Sequence, residues 1–127
     1  MKIDHIALNV FDLEKAKTFF CTYFNGSPNE MYHNPKTGLR SYFITLPDGG
    51  RIELMSRPDI IMRQFDSMLQ GYIHLSISVG SKNNVDNLTA RLKADGFEVL
   101  SCPRTTGDGY YESCVRGFEN NILEISE

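Results

Sequence analysis

Residues 72–79 read "YIHLSISV" and alternate with a period of two. Ile73, Leu75, Ile77 and Val79 fall on one face of a strand, and His74, Ser76 and Ser78 fall on the other. An earlier stretch, "IDHIALNV" at 3–10, has the same design. There Ile6, Leu8 and Val10 oppose His5, Ala7 and Asn9. Two half-apolar strands, each with a histidine on its polar face, point to an internal repeat. Such a repeat decides the fold before any single residue does.

The neighbouring segments extend the repeat. "DLEKAKTFFCTYFNG" follows the first strand, with Leu13, Ala16, Phe19, Phe20, Tyr23 and Phe24 at helical spacing, Asp12 as N-cap and Gly26 as stop signal. "NNVDNLTARLKADG" follows the second, with Val85, Leu88 and Leu92 on one stripe and Gly96 as stop. Each half then has a strand pair around a turn. The turns are Pro47-Asp48-Gly49-Gly50 and the region from Gly117 to Asn121. Laying "LPDGGRIEL" over "GFENNILEI" matches Glu53 to Glu124, at an offset two residues longer than that between His5 and His74. With short strands near 28–32 and 97–101, each half reads β-α-β-β-β. The expectation is an α+β fold of two tandem modules, 1–56 and 71–127, joined by a linker over 57–70 with a possible helical turn. Together they make one domain over 1–127.

Bulk properties exclude several classes. The 127 residues suffice for one domain, and 41% hydrophobic content supports a core. A net charge of −3 with scattered lysines and arginines gives no footprint for nucleic acid or for an acidic membrane. No apolar run approaches the roughly 20 residues of a membrane span, and the N-terminus lacks a signal-peptide profile. Cys21, Cys102 and Cys114 are odd in number, far apart and without a CxxC. They read as reduced thiols of a cytoplasmic protein, Cys21 as helix packing.

Strand periodicity singles out four polar residues. Glu53 shares a face with Arg51 and Met55, opposite Ile52 and Leu54, and Glu124 lies opposite Leu123 and Ile125. His5, Glu53, His74 and Glu124 each lie opposite the face that packs on a helix. Two imidazoles and two carboxylates form an N/O donor set that suits one divalent zinc, nickel, iron, manganese or cobalt ion. A solvent-facing sheet explains each residue singly. It does not explain the same His-then-Glu pair in both halves.

The stretches "DHIALNVFDLEKAKTFF", "LPDGGRIEL", "YIHLSISV" and "GDGYYESCVRGFENNILEIS" resemble the vicinal oxygen chelate superfamily over nearly the whole chain. That superfamily includes glyoxalase I, methylmalonyl-CoA epimerase, extradiol dioxygenases, and fosfomycin- and bleomycin-resistance proteins. The resemblance implies a curved, U-shaped mixed sheet with helices outside and a metal in its cavity. A glutamate at position 53 makes the four-ligand set look like the glyoxalase I type. This implies a lyase or isomerase acting on a hemithioacetal of a 2-oxoaldehyde, or a similar oxygen-chelating small molecule, by proton transfer through an enediolate. The catalytic carboxylates would be Glu124, as base, and Glu53, its counterpart. A homodimer is implied as well. Asn9 stands where glutathione-using bacterial glyoxalases commonly carry an arginine. Leu54-Met55-Ser56-Arg57 lacks their usual asparagine, so another thiol or a non-thiol substrate is open, with Arg57 a possible carboxylate anchor. The alternatives on the same fold are a non-catalytic drug-binding resistance protein, or an epimerase or dioxygenase.

Further substrate contacts are expected from Asn9, from Arg40 and Tyr42, which share a face in "LRSYFITL", and from Tyr110 and Glu112. Alternation sends Tyr110, Glu112 and Cys114 toward the cavity and Tyr111, Ser113 and Val115 away from it. His33 reads as a surface loop residue. Phe65, Met68 and Leu69 read as packing between modules or at a dimer contact.

Overall fold

Asp12 ends the first strand segment and starts the first helix, its carboxylate accepting from the Lys15 backbone N–H at 3.0 Å. In the computed structural model, which describes residues 1–64, 68 and 70–127, that helix is α1, Leu13–Phe24. It ends where Asn25 takes the left-handed conformation at φ 52°, so the cap is Asn25 rather than Gly26. Gly26 is required for another reason: a Cβ there would stand 2.4 Å from Ile44 Cγ2. Strands β1 (Ile6–Asn9), β2 (Ser27–Pro28), β3 (Tyr32–Asn34), β4 (Leu39–Thr45) and β5 (Arg51–Ser56) complete the first module. The single weak strand expected near 28–32 is two short strands, both antiparallel to β4.

The module's sheet runs β1-β5-β4-β2, with β3 also on β4. β1 pairs with β5 in parallel, from Ile6 beside Ile52 to Asn9 beside Met55. Leu13, Ala16, Phe19, Phe20 and Phe24 of α1 are buried, as are Tyr42 and Ile44 of β4 and Ile52 and Leu54 of β5. Burial of each such side chain contributes about 1.5–3 kcal/mol.

The second module repeats this order. It contains β6 (Leu75–Ser78), α2 (Lys82–Ala94), β7 (Glu98–Thr105), β8 (Tyr111–Arg116) and β9 (Ile122–Ser126), in a sheet ordered β6-β9-β8-β7. β6 runs parallel to β9, and the other pairings are antiparallel. Ser81 caps α2, accepting from Asn84 N–H at 3.2 Å, and Gly96 follows the helix at φ +94°. Val85, Leu92, Val115, Leu123 and Ile125 are buried with one polar pair. In that pair Thr89 donates to the Val85 carbonyl at 2.6 Å, and its oxygen lies 2.6 Å from the Ser113 hydroxyl. Both hydroxyls are thus satisfied without water. The turn between β8 and β9 uses Glu119 and Asn120, at φ 48° and 64°, as its left-handed residues.

The α+β fold of two βαβββ modules is therefore realised as two open mixed sheets, each with one helix. The chain divides into two compact units, Met1–Arg63 and Gln64–Glu127. The described residues of the linker contain no helix, and Phe65 and Leu69 lie outside the described residues. Among the described residues no helix is long and apolar enough to cross a membrane.

Phe20 is fully buried and makes ring contacts with Phe19 and Phe24 at 5.4 and 5.9 Å. Phe20→Ala is expected to destabilise the protein by about 3–5 kcal/mol. Urea unfolding should show a lower midpoint with an unchanged slope.

Candidate metal centre

His5 immediately precedes β1, and Glu53 sits in the middle of β5 on the face turned away from α1. The partnership of Ala7 with Glu53 across the parallel pair sets this arrangement. His5 Nε2 and Glu53 Oε2 are 3.6 Å apart, and the side chains are 35% and 18% exposed. On the other side of the ring, Asp4 Oδ2 lies 2.8 Å from Nδ1. A proton on Nδ1, donated to that carboxylate, would leave the Nε2 lone pair facing Glu53. Arg51 bonds the same Asp4 oxygen. The His5 and Arg51 hydrogen bonds hold the Asp4 carboxyl below its ordinary range. Phe43, opposite Glu53 in the hairpin, meets the His5 ring edge-on at 5.2 Å and lies 5.0 Å from the Arg51 guanidinium.

The second module reproduces the pair. His74 immediately precedes β6, and Glu124 faces away from the buried Leu123 and Ile125. Ser76 stands beside Glu124 as Ala7 stands beside Glu53. His74 Nε2 and Glu124 Oε2 are again 3.6 Å apart, with side chains 37% and 19% exposed. Distance and exposure thus match in both halves. Both histidines were expected inside strands 3–10 and 72–79. They lie just outside, where the ladders have not yet begun.

The surroundings of the two pairs differ. Cys114 takes the place of Phe43, opposite Glu124, and Glu112 lies further along the same face. Burial first, then the negative charge of Glu124, pushes the Glu112 carboxyl up, against the opposing pull of Arg104, 3.8 Å away. Burial, with the Glu124 and Glu112 carboxylates, also pushes the Cys114 thiol up, so this cysteine is not an activated nucleophile.

A separation of 3.6 Å is too long for a hydrogen bond. It suits two ligands of one cation, since donors about 2.1 Å from a tetrahedral metal stand about 3.4 Å apart. Each module therefore offers one imidazole–carboxylate pair whose donor chemistry fits a divalent ion. Among the described residues no group of three or more His, Cys, Asp or Glu side chains is arranged to hold a metal.

Within each module the other expected site residues fall on different faces. Asn9 is exposed in β1 beside Met55, on the Glu53 face. Arg40 and Tyr42 do share a face, but it is the α1 face, opposite Glu53. Tyr42 is buried there and donates to Glu14 at 2.8 Å, with Lys17 over its ring at 4.5 Å. Glu112 is on the Glu124 face, whereas Tyr110 precedes β8 and is exposed. Tyr111 bonds Asp86 of α2 at 2.7 Å, and Ser113 and Val115 are buried on that side, as alternation requires. Arg57 is held by Asp59 through two bonds of 2.9 and 2.8 Å. His33 is exposed but belongs to β3 rather than a loop, and Met68 is exposed. Cys21 is half-buried in α1, Cys114 is half-buried and Cys102 is exposed, all as free thiols.

The family model described as the Glyoxalase/Bleomycin resistance protein/Dioxygenase superfamily matches residues 2–125. No curated protein sequence is similar enough to count as a match. Among solved structures, a glyoxylase/bleomycin resistance protein/dioxygenase domain from Frankia sp. EAN1pec superposes with a TM-score of 0.84 at 23% identity, covering 99% of this chain and 96% of that one. The fosfomycin resistance protein FosX from Listeria monocytogenes, complexed with Mn(II) and sulfate, gives 0.72 at 22% identity, covering 98% and 90%. A glyoxalase I mutant from Zea mays gives 0.80 at 15% identity, covering 98% of this chain and 44% of that one.

Lys17 first, then Tyr42, lowers the Glu14 carboxyl from its ordinary 4.5. This bonding stabilises the fold above the ordinary carboxylate range, and its contribution is lost as pH falls through the folded value. Tyr42→Phe removes one donor, so an NMR titration should find Glu14 shifted back upward. The same variant should leave the resonances of His5 unmoved, because Tyr42 and His5 act on opposite faces.

Proposed function

This chain belongs to the glyoxalase/bleomycin resistance protein/dioxygenase superfamily, and within it we propose a metal-dependent lyase or isomerase of the glyoxalase I type. One observation carries the reading. A histidine and a glutamate recur in both modules at the same register and the same 3.6 Å separation. A non-catalytic drug binder has no need of such a duplicated donor pair.

In this reading residues 1–127 act as one domain. His5, Glu53, His74 and Glu124 hold one divalent ion, nickel or zinc first, with the two modules coming from one chain or from the partners of a homodimer. When bound, the ion supplies a Lewis acid that polarises two neighbouring substrate oxygens. The protein residues supply the rest. The imidazoles bind as neutral donors through Nε2. Glu124 takes a proton from one carbon of a hemithioacetal or similar small molecule and returns it to the next. Glu53 is its counterpart on the opposite module. Glu112 flanks Glu124 on the same face and lines the substrate side, and Asn9 replaces a cationic anchor for glutathione. Cytoplasmic residence accords with three free thiols.

The test begins with metal content. Full-length protein purified without chelator should carry about one divalent ion per four-ligand set, lost in His74→Ala. Glu124→Gln should then lower isomerisation of 2-oxoaldehyde–thiol adducts by about 10²–10⁴-fold, more than Glu53→Gln does. A protein that takes up no metal when offered nickel, zinc, cobalt and manganese would leave the drug-binding reading. Oxygen consumption with bound iron would instead indicate a dioxygenase.

A further inference from the structure

The two histidines are presented differently. His5 carries a carboxylate on its Nδ1: Asp4 Oδ2 at 2.8 Å. That carboxylate is itself held by Arg51, and Arg51 is held against Phe43, which also meets the His5 ring. The four side chains form a closed brace in which each member fixes two others. In the second module the matching positions are Ile73, Ile122 and Cys114. None offers an acceptor in the place of Asp4 or a cation in the place of Arg51. Among the described residues Glu124 is the ion-pairing partner of His74.

We propose that Asp4, braced by Arg51, is a positioning residue that keeps His5 in its Nδ1–H tautomer with the Nε2 lone pair aimed toward Glu53, and that the first module is thereby the pre-organised half of the cation site. The physical reason is entropic and electronic. A free imidazole exchanges tautomers and rotates, and only one combination presents Nε2 as a donor beside Glu53. A carboxylate on Nδ1 removes the alternatives before the cation arrives and raises the basicity of the ligating nitrogen. Arg51 keeps Asp4 stationary. Phe43 limits rotation of the ring. Its cation-binding part rests on the proposed function, whereas its tautomer part does not.

The experiment is a pair of measurements on the full-length chain. Long-range ¹H–¹⁵N correlation on the metal-free protein reads the tautomer of each histidine. Calorimetric titration with zinc alone reads affinity. Wild type should show His5 as the Nδ1–H tautomer. Asp4→Ala should redistribute His5 toward Nε2–H, leave His74 unchanged and weaken zinc binding about 10–100-fold. Asp4→Asn should recover part of that loss, because its amide oxygen still accepts from Nδ1–H. Arg51→Met should give a smaller loss with the tautomer retained. A urea midpoint within error of wild type for Asp4→Asn keeps the comparison independent of folding. A wild-type His5 in the Nε2–H form, or zinc affinity in Asp4→Ala within twofold of wild type, would overturn the proposal. If wild type takes up none of zinc, nickel, cobalt and manganese while His5 still holds the Nδ1–H form and loses it in Asp4→Ala, the positioning role stands and the metal-dependent reading fails.

Discussion

Parallel pairing of the first and last strands of each module is the constraint on which the rest depends. It sets Ala7 beside Glu53 and Ser76 beside Glu124. Side chains alternate with a period of two, so this register also assigns every apolar partner. Ile52 and Leu54 go to the α1 side, and Leu123 and Ile125 to the buried side of β9. A slip of one residue would exchange the faces, sending Glu53 under the helix and Ile52 into water. Burying an unpartnered carboxylate costs several kcal/mol, and exposing two aliphatic side chains adds to it. The core therefore enforces the position of the carboxylates, although it never touches them.

Much of this was legible in the sequence, because alternation and repetition are both one-dimensional signals. The offset between His5 and His74, and the slightly longer one between Glu53 and Glu124, anticipate that the two modules place these pairs equivalently. Asp12 as N-cap, Gly96 as stop and the sidedness of Tyr111, Ser113 and Val115 follow from local chemistry, and the structure has all of them. The placement of Arg40 and Tyr42 did not follow. In "LRSYFITL" apolar and aromatic residues occupy both parities, so alternation leaves the core-facing side open. Counting back from the Pro47–Gly50 turn resolves it. The hairpin sets Phe43 opposite Glu53 and Tyr42 opposite Leu54, which puts the tyrosine under α1. The brace of Asp4, Arg51 and Phe43 was less accessible. Its members come from the chain before β1, from β5 and from β4, and only folding gathers them.

Energetically, the two modules complete their cores by different means. The first buries a run of phenylalanines from one helix, with Tyr42 tied to Glu14 and Lys17 at the margin. The second helix buries only Val85, Thr89 and Leu92, and it satisfies Thr89 through Ser113 on β8. A thinner apolar face is thus supplemented by a buried hydrogen-bonded pair, which fixes the helix over one strand position more specifically than an aliphatic contact would. That position is one residue from Cys114 and Glu112, on the strand bordering Glu124. The packing of α2 therefore locates the carboxylate cluster on the opposite face.

The duplicated pair has unequal surroundings. Around His5 every group restrains: a carboxylate on one ring nitrogen, an aromatic ring against its edge, and an arginine tying the two. Around Glu124 the neighbours are a carboxyl and a thiol. Glu112, its carboxyl pushed up by burial and by the charge of Glu124, stands on the same face, and Cys114 lies directly opposite Glu124. Glu53 stands beside the cationic Arg51 instead. The two sheets duplicate the geometry, and the flanking residues differ: a carboxylate and an arginine brace His5, whereas a carboxyl and a thiol border Glu124.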